Sequence, residues 1–461
     1  MPETNRVVVI GGGISGLTCA HRLKRLGAEV TLLEASDNAG GLIGSVPQDG
    51  FLFERGPQSF QGTAPLLELI RELGIESELL EADPAAPRYV LRGGRLQKIP
   101  MSPPALIGSS LLGIGSRWKI VSEPFRHTTP PGHEESVAEF VRRKFGHEIL
   151  EYLVSPFVSG VYAGDPEQLS LRAAFPSLEE WEKQFGSVLR GAMKSRPANG
   201  EKKKAPPLCS FRRGLSTLTN AIARQLGGSV RTSARVEKLD GLQRDGAGFE
   251  IHVSTEKQNE TIQADAVILA TPAYISAHLI APLSPQIAHL LSGISYAPVA
   301  VVAAGYYSKQ FSEPPDGFGF LVPRKEKMRT MGTVWNSSLF AGRAPESCVL
   351  MTSFLGGATD PALVQKPEDE IASIANSENR HILQINGAPI TSVTWKHPKA
   401  LPQYNLGHGH IIESIVEAQA QVPGVFFCGN YLAGPAIGKC VEQALRTADE
   451  VRERVPTLAG H

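Results

Sequence analysis

The stretch Val7-Val8-Val9-Ile10-Gly11-Gly12-Gly13-Ile14-Ser15-Gly16 decides how the rest of the chain is read. A continuous apolar run suits a strand buried on both faces, and the glycines after it let the chain turn tightly into a helix starting near Ile14. Such a turn offers unpaired N–H groups and the positive end of a helix dipole to a diphosphate, whose approach a side chain at Gly11 or Gly13 would block. Taken alone, G-x-G-x-x-G is also the pattern of a plain tight turn. Its surroundings favour the dinucleotide reading: a helix over 17–26 ends at Gly27, a strand follows over 29–33, and Glu34 comes eighteen residues after Gly16. An acid there accepts hydrogen bonds from an adenosine ribose and disfavours a 2′-phosphate, so FAD or NAD fits better than NADP.

The 461 residues suffice for two or three domains of ordinary globular composition, 42% hydrophobic and 20% charged. Lys plus Arg and Asp plus Glu both total 46, which gives no reason to expect a nucleic-acid partner. Five cysteines, at 19, 209, 348, 428 and 440, form no C-x-x-C and no zinc or iron–sulfur spacing. They read as free thiols of a reducing compartment, and no metal site is expected. The N-terminus enters the first strand without the charged and apolar regions of a signal peptide, and no apolar stretch reaches the roughly 20 residues of a membrane span. A cytoplasmic protein is expected, with attachment to a membrane surface left open.

Further along, Gly40-Gly41 and Gly56-Pro57-Gln58-Ser59-Phe60 read as loops, 63–73 as a helix, and 88–96 as a hairpin turning at Gly93-Gly94. From 100 to 207 the pattern is helical: an apolar stretch 105–114, a helix 137–145 with the capping box Ser136-x-x-Glu139, and another over 148–158. The Lys-rich stretch 196–207 reads as a solvated linker. Nucleotide-domain character resumes with a helix 215–226, strands near Val236 and over 249–253, and a buried strand 264–269 running into Thr271-Pro272. Strand-rich sequence occupies 298–395. A strand 425–427, a glycine loop to Gly438 and a helix from Lys439 close the chain, placed to hold the far end of a long dinucleotide. A single nucleotide motif and no redox cysteine pair imply that, with FAD bound, electrons come from an organic substrate and leave to a small acceptor such as oxygen.

The combination of 11–17, Glu34, Gly40-Gly41, 56–60, Ala270-Thr271-Pro272 and Cys428-Gly429-Asn430 resembles the flavin amine oxidase superfamily. Within it, 160–170 (Gly-Val-Tyr-Ala-Gly-Asp-Pro-Glu-Gln-Leu-Ser) and 317–323 resemble the oxygen-dependent protoporphyrinogen oxidases. The resemblance implies an α/β and α+β fold of three parts. These are a Rossmann-like FAD-binding domain of discontinuous segments (1–60, 208–280, 405–461), a mixed-sheet substrate domain (61–99, 281–404) and a helical membrane-binding insert (100–207). It implies non-covalent FAD held by Gly11, Gly12, Gly13, Ile14, Ser15, Gly16, Glu34, Gly41, Leu42, Gly56, Pro57, Gln58, Ser59, the Val236 backbone, Asn430, Pro435, Ala436 and Ile437. It further implies a porphyrinogen substrate, O2 as acceptor giving H2O2, a homodimer, and no side-chain base.

Arg88 matches the family's carboxylate-binding arginine, and Gly160, Phe318, Leu321, Val334 and Phe354 supply apolar walls for a macrocycle. As bare residues, Arg88 reads as a surface arginine and the apolar ones as ordinary core. Asn38 and Leu42 depart from the superfamily, which often has basic residues at those places. His408-x-His410 reads as one strand face with a structural role. Coproporphyrinogen III oxidation is the nearest alternative activity; a flavin-free carrier resembling GDP-dissociation inhibitors is the alternative of another class. Amine oxidation and carotenoid desaturation fit less well, because 160–170 is not their motif.

Overall fold

In strand β1 (Arg6–Ile10) successive side chains enter two different cores. Val7 and Val9 pack with Leu17, Leu23, Leu218 and Val441, whereas Val8 and Ile10 pack with Ile251, Val267, Ala277 and Ile287. This is why the run is apolar without alternation: the strand is covered on both faces. The computed structural model describes residues 6–100, 102–126, 131–194, 206–242 and 248–454. Of the Lys-rich stretch 196–207, all but the last two residues lie outside these.

β1 is the middle of a five-stranded parallel sheet, ordered Val230–Arg231, β2 (Glu29–Leu33), β1, Ala266–Leu269, Val425–Phe427. Helices α1 (Ile14–Arg25), Ser216–Leu226 and Ile437–Arg454 cover one face. A three-stranded antiparallel sheet and the helices Ala273–Ile280 and Pro285–Ser292 cover the other. Segments more than 150 residues apart thus meet in one sheet, with their C-terminal ends at one edge, where ligands of open α/β sheets bind.

A second, mixed sheet has seven strands: Thr391–Pro402, Tyr296–Tyr307, Cys348–Gly356, Thr330–Val334, Gly319–Leu321, Arg88–Arg92 and Arg95–Lys98. Only the Gly319–Leu321 and Arg88–Arg92 pair is parallel. One face of this sheet is closed by the helix Glu368–Leu383, which lies within the stretch expected to be strand-rich. There Asn379 accepts from Thr333 Oγ1 at 3.0 Å and donates to Ser353 Oγ at 2.8 Å.

The described residues between 103 and 194 form a series of helices, among them Pro103–Gly108, Ile114–Ser122, Val137–Lys144, Pro176–Phe185 and Val188–Lys194. The helix Val137–Lys144 opens with the capping box: Ser136 Oγ accepts from Glu139 N at 3.1 Å and Glu139 Oε2 from Ser136 N at 2.9 Å. Its end carries buried charge that the sequence does not announce. Lys144, 1% exposed, lies 2.6 Å from Glu182, which also pairs with Arg143 at 2.7 Å. The residues 148–158 belong to a longer helical run, with a π-helical turn at Leu150–Val154 leading into Ser155–Tyr162.

His408 and His410 lie in the helix His408–Gln419, not on a strand. Gly407, at φ +86°, turns the chain into that helix, and Ile411, Ile415 and Ala418 give it an apolar stripe. His408 is buried against the Tyr431 carbonyl at 2.9 Å, and burial holds its imidazole below the ordinary range. The last helix starts at Ile437, two residues before the expected Lys439.

Candidate flavin site

Each glycine of the first turn has a separate physical reason. Gly11 has φ +109°, and a Cβ on it would sit 2.8 Å from the Ala270 carbonyl oxygen of the neighbouring strand end. A Cβ on Gly16 would lie 1.9 Å from the Gly11 oxygen, so that glycine lets α1 pack onto the turn. A Cβ on Gly13 would meet nothing within 4 Å: it would project into open space before the first turn of α1. No side chain caps α1, and its first turn, which includes Ile14 and Ser15, carries no acid. Free N–H groups, the positive helix end and a backbone without side chains suit a diphosphate, so these residues fit the cofactor.

Glu34 holds that turn in shape. Its Oε2 accepts from Gly12 N at 2.6 Å, and its Oε1 accepts from Ser36 N at 2.8 Å and Ser36 Oγ at 2.7 Å. The Gly40 amide donates to the Gly12 carbonyl at 2.8 Å, and a Cβ on Gly41 would lie 3.2 Å from Gly13 Cα. Leu42 is exposed beside them, and its carbonyl would be 2.4 Å from a Cβ on Gly56. Pro57 and Ser59 are half-buried, whereas the Gln58 side chain is buried and bonded within the protein. Val236 sits beside a bulge at Glu237, in a strand anchored where Ala234 N donates to Glu34 O at 2.9 Å.

At the other end of the chain, Asn430 begins the short helix Asn430–Ala433, and its carbonyl accepts from the Tyr404 hydroxyl. Pro435 is half-buried and Ala436 exposed; Ile437 is buried where the last helix begins, without an acid in its first turn. A Cβ on Gly438 would come within 2.8 Å of Thr63 Oγ1, a buried hydroxyl without a hydrogen-bond partner. The structure therefore brings the start of the last helix against the start of the helix Ala64–Glu72. Sequence reasoning passed over Thr63; the signal was a threonine immediately before an Ala-Pro helix start.

The other group of residues gathers on the mixed sheet. Register pairs Leu321 with Gly332, Gly332 with Phe354, and Gly319 with Val334, so strand alternation places Leu321, Val334 and Phe354 on one face. It is the face turned away from Glu368–Leu383. The helix Ser155–Tyr162 crosses it closely: a Cβ on Gly160 would lie 2.8 Å from Leu321 Cδ2. Arg88 pairs with Gly319 in register, and its guanidinium lies over the Phe318 ring at 5.1 Å. Among the described residues, no group of three or more His, Cys, Asp or Glu side chains is arranged to hold a metal ion.

The family model of flavin-containing amine oxidoreductases matches residues 14–452. The chain belongs to this family. As a flavin-containing amine oxidoreductase it is an FAD-dependent oxidoreductase, in agreement with the glycine turn and the uncapped α1. It is 36% identical to protoporphyrinogen oxidase 1, chloroplastic, of Arabidopsis thaliana, over 97% of this chain and 88% of that protein. It is 31% identical to coproporphyrinogen III oxidase of Bacillus subtilis, over 95% of this chain and 96% of that one. A solved structure from Exiguobacterium has a TM-score of 0.83 at 23% identity, covering 98% of this chain and all of the other, which shows the shared fold.

Proposed function

We propose that this chain oxidises protoporphyrinogen IX to protoporphyrin IX in haem biosynthesis, removing six electrons in three rounds, with O2 as final acceptor and H2O2 as product. Bound non-covalently, FAD supplies the acceptor for two electrons at a time. The observation that carries the reading is the apolar sheet face of Leu321, Val334 and Phe354, roofed at Gly160, with Arg88 over Phe318 at its end. A flat apolar macrocycle lies against such a face, and a guanidinium at its border grips a propionate. The 11–16 turn, Glu34, Gly41, Leu42, 56–59, Val236, Asn430 and 435–437 would hold the flavin, with the start of Ile437–Arg454 favouring negative charge on its ring.

Coproporphyrinogen III is the second reading, favoured by the match to the Bacillus subtilis enzyme. Rates on the two porphyrinogens, followed by porphyrin fluorescence, separate them. Faster turnover of protoporphyrinogen IX is expected; preference for coproporphyrinogen III would replace the proposed substrate.

The partition into FAD-binding, substrate-binding and helical parts, with the bounds given by the resemblance, belongs to the same proposal. So does the seat of the helical part on a membrane surface. Ile114, Trp118, Val121 and Phe125 are 83%, 69%, 41% and 77% exposed, and their three-to-four-residue spacing puts them along one side of Ile114–Ser122 and the turn after it. Arg117, Lys119, Arg126 and Arg190 surround them, and no helix among the described residues is long and apolar enough to cross a membrane. The homodimer is tested by light scattering, where a monomer would remove it.

A further inference from the structure

The amide of Gln58 is fully engaged inside the protein. Its Nε2 donates to the Gly56 carbonyl at 2.7 Å and to that of Glu54 at 3.3 Å. Its Oε1 accepts from Asn336 Nδ2 at 2.7 Å, and Asn336 Oδ1 accepts from Thr352 Oγ1 at 2.8 Å. Gln58, Asn336 and Thr352 are 7%, 3% and 1% exposed, so this is a dry chain of hydrogen bonds with no solvent to replace a lost partner.

Its direction is fixed at one end. Turning the Gln58 amide over would set its oxygen against two carbonyls, so Gly56 and Glu54 orient Gln58, and Gln58 orients Asn336. The two ends belong to different parts of the site. Thr352 is the register partner of Val334, on the sheet face that also carries Phe354. Gly56 is seated on the Leu42 carbonyl, which a Cβ there would strike at 2.4 Å. The chain is a buried polar connection between the proposed substrate wall and the loop that would embrace the flavin.

We propose that Thr352, Asn336 and Gln58 form a positioning relay that sets the 56–59 loop, and the flavin lying on it, at a fixed distance from the substrate face. Asn336 and Thr352 are positioning residues, acting through Gln58. The inference rests on the proposed placement of FAD along 56–59 and of substrate on the sheet. Hydride transfer needs the reacting atoms aligned at about 3–3.5 Å, and a displacement of about 1 Å slows it about 100-fold. A relay made of short buried bonds suits that tolerance better than packing alone.

Asn336→Leu and Thr352→Val, each as the full chain, test the relay through three readouts: FAD affinity, anaerobic flavin reduction by protoporphyrinogen IX at saturating FAD, and Tm. Asn336→Leu should weaken FAD binding about tenfold by leaving the Gln58 oxygen unpartnered. It should also slow the limiting rate of flavin reduction by up to about 100-fold, with the half-saturating porphyrinogen concentration little changed. Thr352→Val, close in shape, should move both in the same direction by less. Adding Gln58→Leu to Asn336→Leu removes the unpartnered oxygen but also the donor to the Gly56 and Glu54 carbonyls, so the 56–59 loop loses its remaining tether and FAD affinity should not recover. A lowered Tm with FAD affinity and reduction rate unchanged would make the chain structural only and overturn the proposal. Should Asn336→Leu not fold, Thr352→Val decides alone, and unchanged values there overturn it. If the unaltered chain binds FAD but protoporphyrinogen IX does not reduce it, the substrate reading fails; the FAD-affinity arm still decides the relay.

Discussion

Replacing Gly13 by alanine should separate folding from cofactor binding. At Gly13 the backbone has φ −70°, open to any residue, and the new Cβ would meet no protein atom within 4 Å. Alanine is a somewhat poorer N-cap than glycine, so the cofactor-free protein should lose only about 0.5 kcal/mol. The methyl group would, however, stand where the diphosphate must approach α1. Pushing the diphosphate back would weaken one or two charge-assisted hydrogen bonds, about 2 kcal/mol, or about a 30-fold rise in the FAD Kd. Gly16→Ala is the contrasting control: its Cβ would lie 1.9 Å from the Gly11 oxygen, so the turn itself must shift and the cofactor-free Tm should fall. Flavin-fluorescence titration gives Kd, and thermal denaturation of both cofactor-free variants gives Tm. An unchanged FAD Kd for Gly13→Ala would refute the placement of the diphosphate.

Other perturbations reach the remaining parts. Arg88→Ala should raise the porphyrinogen KM about tenfold or more while FAD stays bound, as loss of one charge-assisted bond implies; an unchanged KM in steady-state assays removes Arg88 from the site. Burial pushes the Glu54 carboxyl up from 4.5 to about 7, against the lowering effects of the Ser45 hydroxyl, the Leu215 amide and Arg343. Because this folded-state value is raised, the stability associated with the neutral carboxyl is fully present below 4.5 and lost as pH rises to about 7. Glu54→Gln should therefore flatten the fall of Tm across that window, and an identical slope would refute the assignment. Trp118→Glu combined with Phe125→Glu should abolish flotation with anionic liposomes without altering FAD content; undiminished flotation would remove this helix from the membrane reading.

Local signals made the first β-turn-α unit legible, because the apolar run, the three glycines of the G-x-G-x-x-G pattern (Gly11, Gly13 and Gly16) and Glu34 all lie within 28 residues, from Val7 to Glu34. The same locality exposed the capping box at Ser136 and the 88–96 hairpin. What escaped depends on distant partners. Glu368–Leu383 went unread between strands, although Glu368, Asp369 and Glu370 in its first turn and Arg380 and His381 in its last are helix-end signals. His408-x-His410 has strand spacing only if the chain stays extended, and the Gly407 turn denies that. Gln58 could be nominated, but not its partner: Asn336 is 278 residues away, and no periodicity announces a side-chain amide waiting for another. The pairing of Arg143 and Lys144 with Glu182 was not legible either, because Glu182 lies 39 residues from Arg143.

The most direct test of the account mixes the FAD-loaded chain with protoporphyrinogen IX under anaerobic conditions and then admits oxygen. The visible flavin band should bleach on mixing; with oxygen it should return, as protoporphyrin fluorescence grows and H2O2 accumulates. A flavin that stays oxidised in the presence of saturating porphyrinogen, in protein shown to hold FAD, would contradict the proposed function.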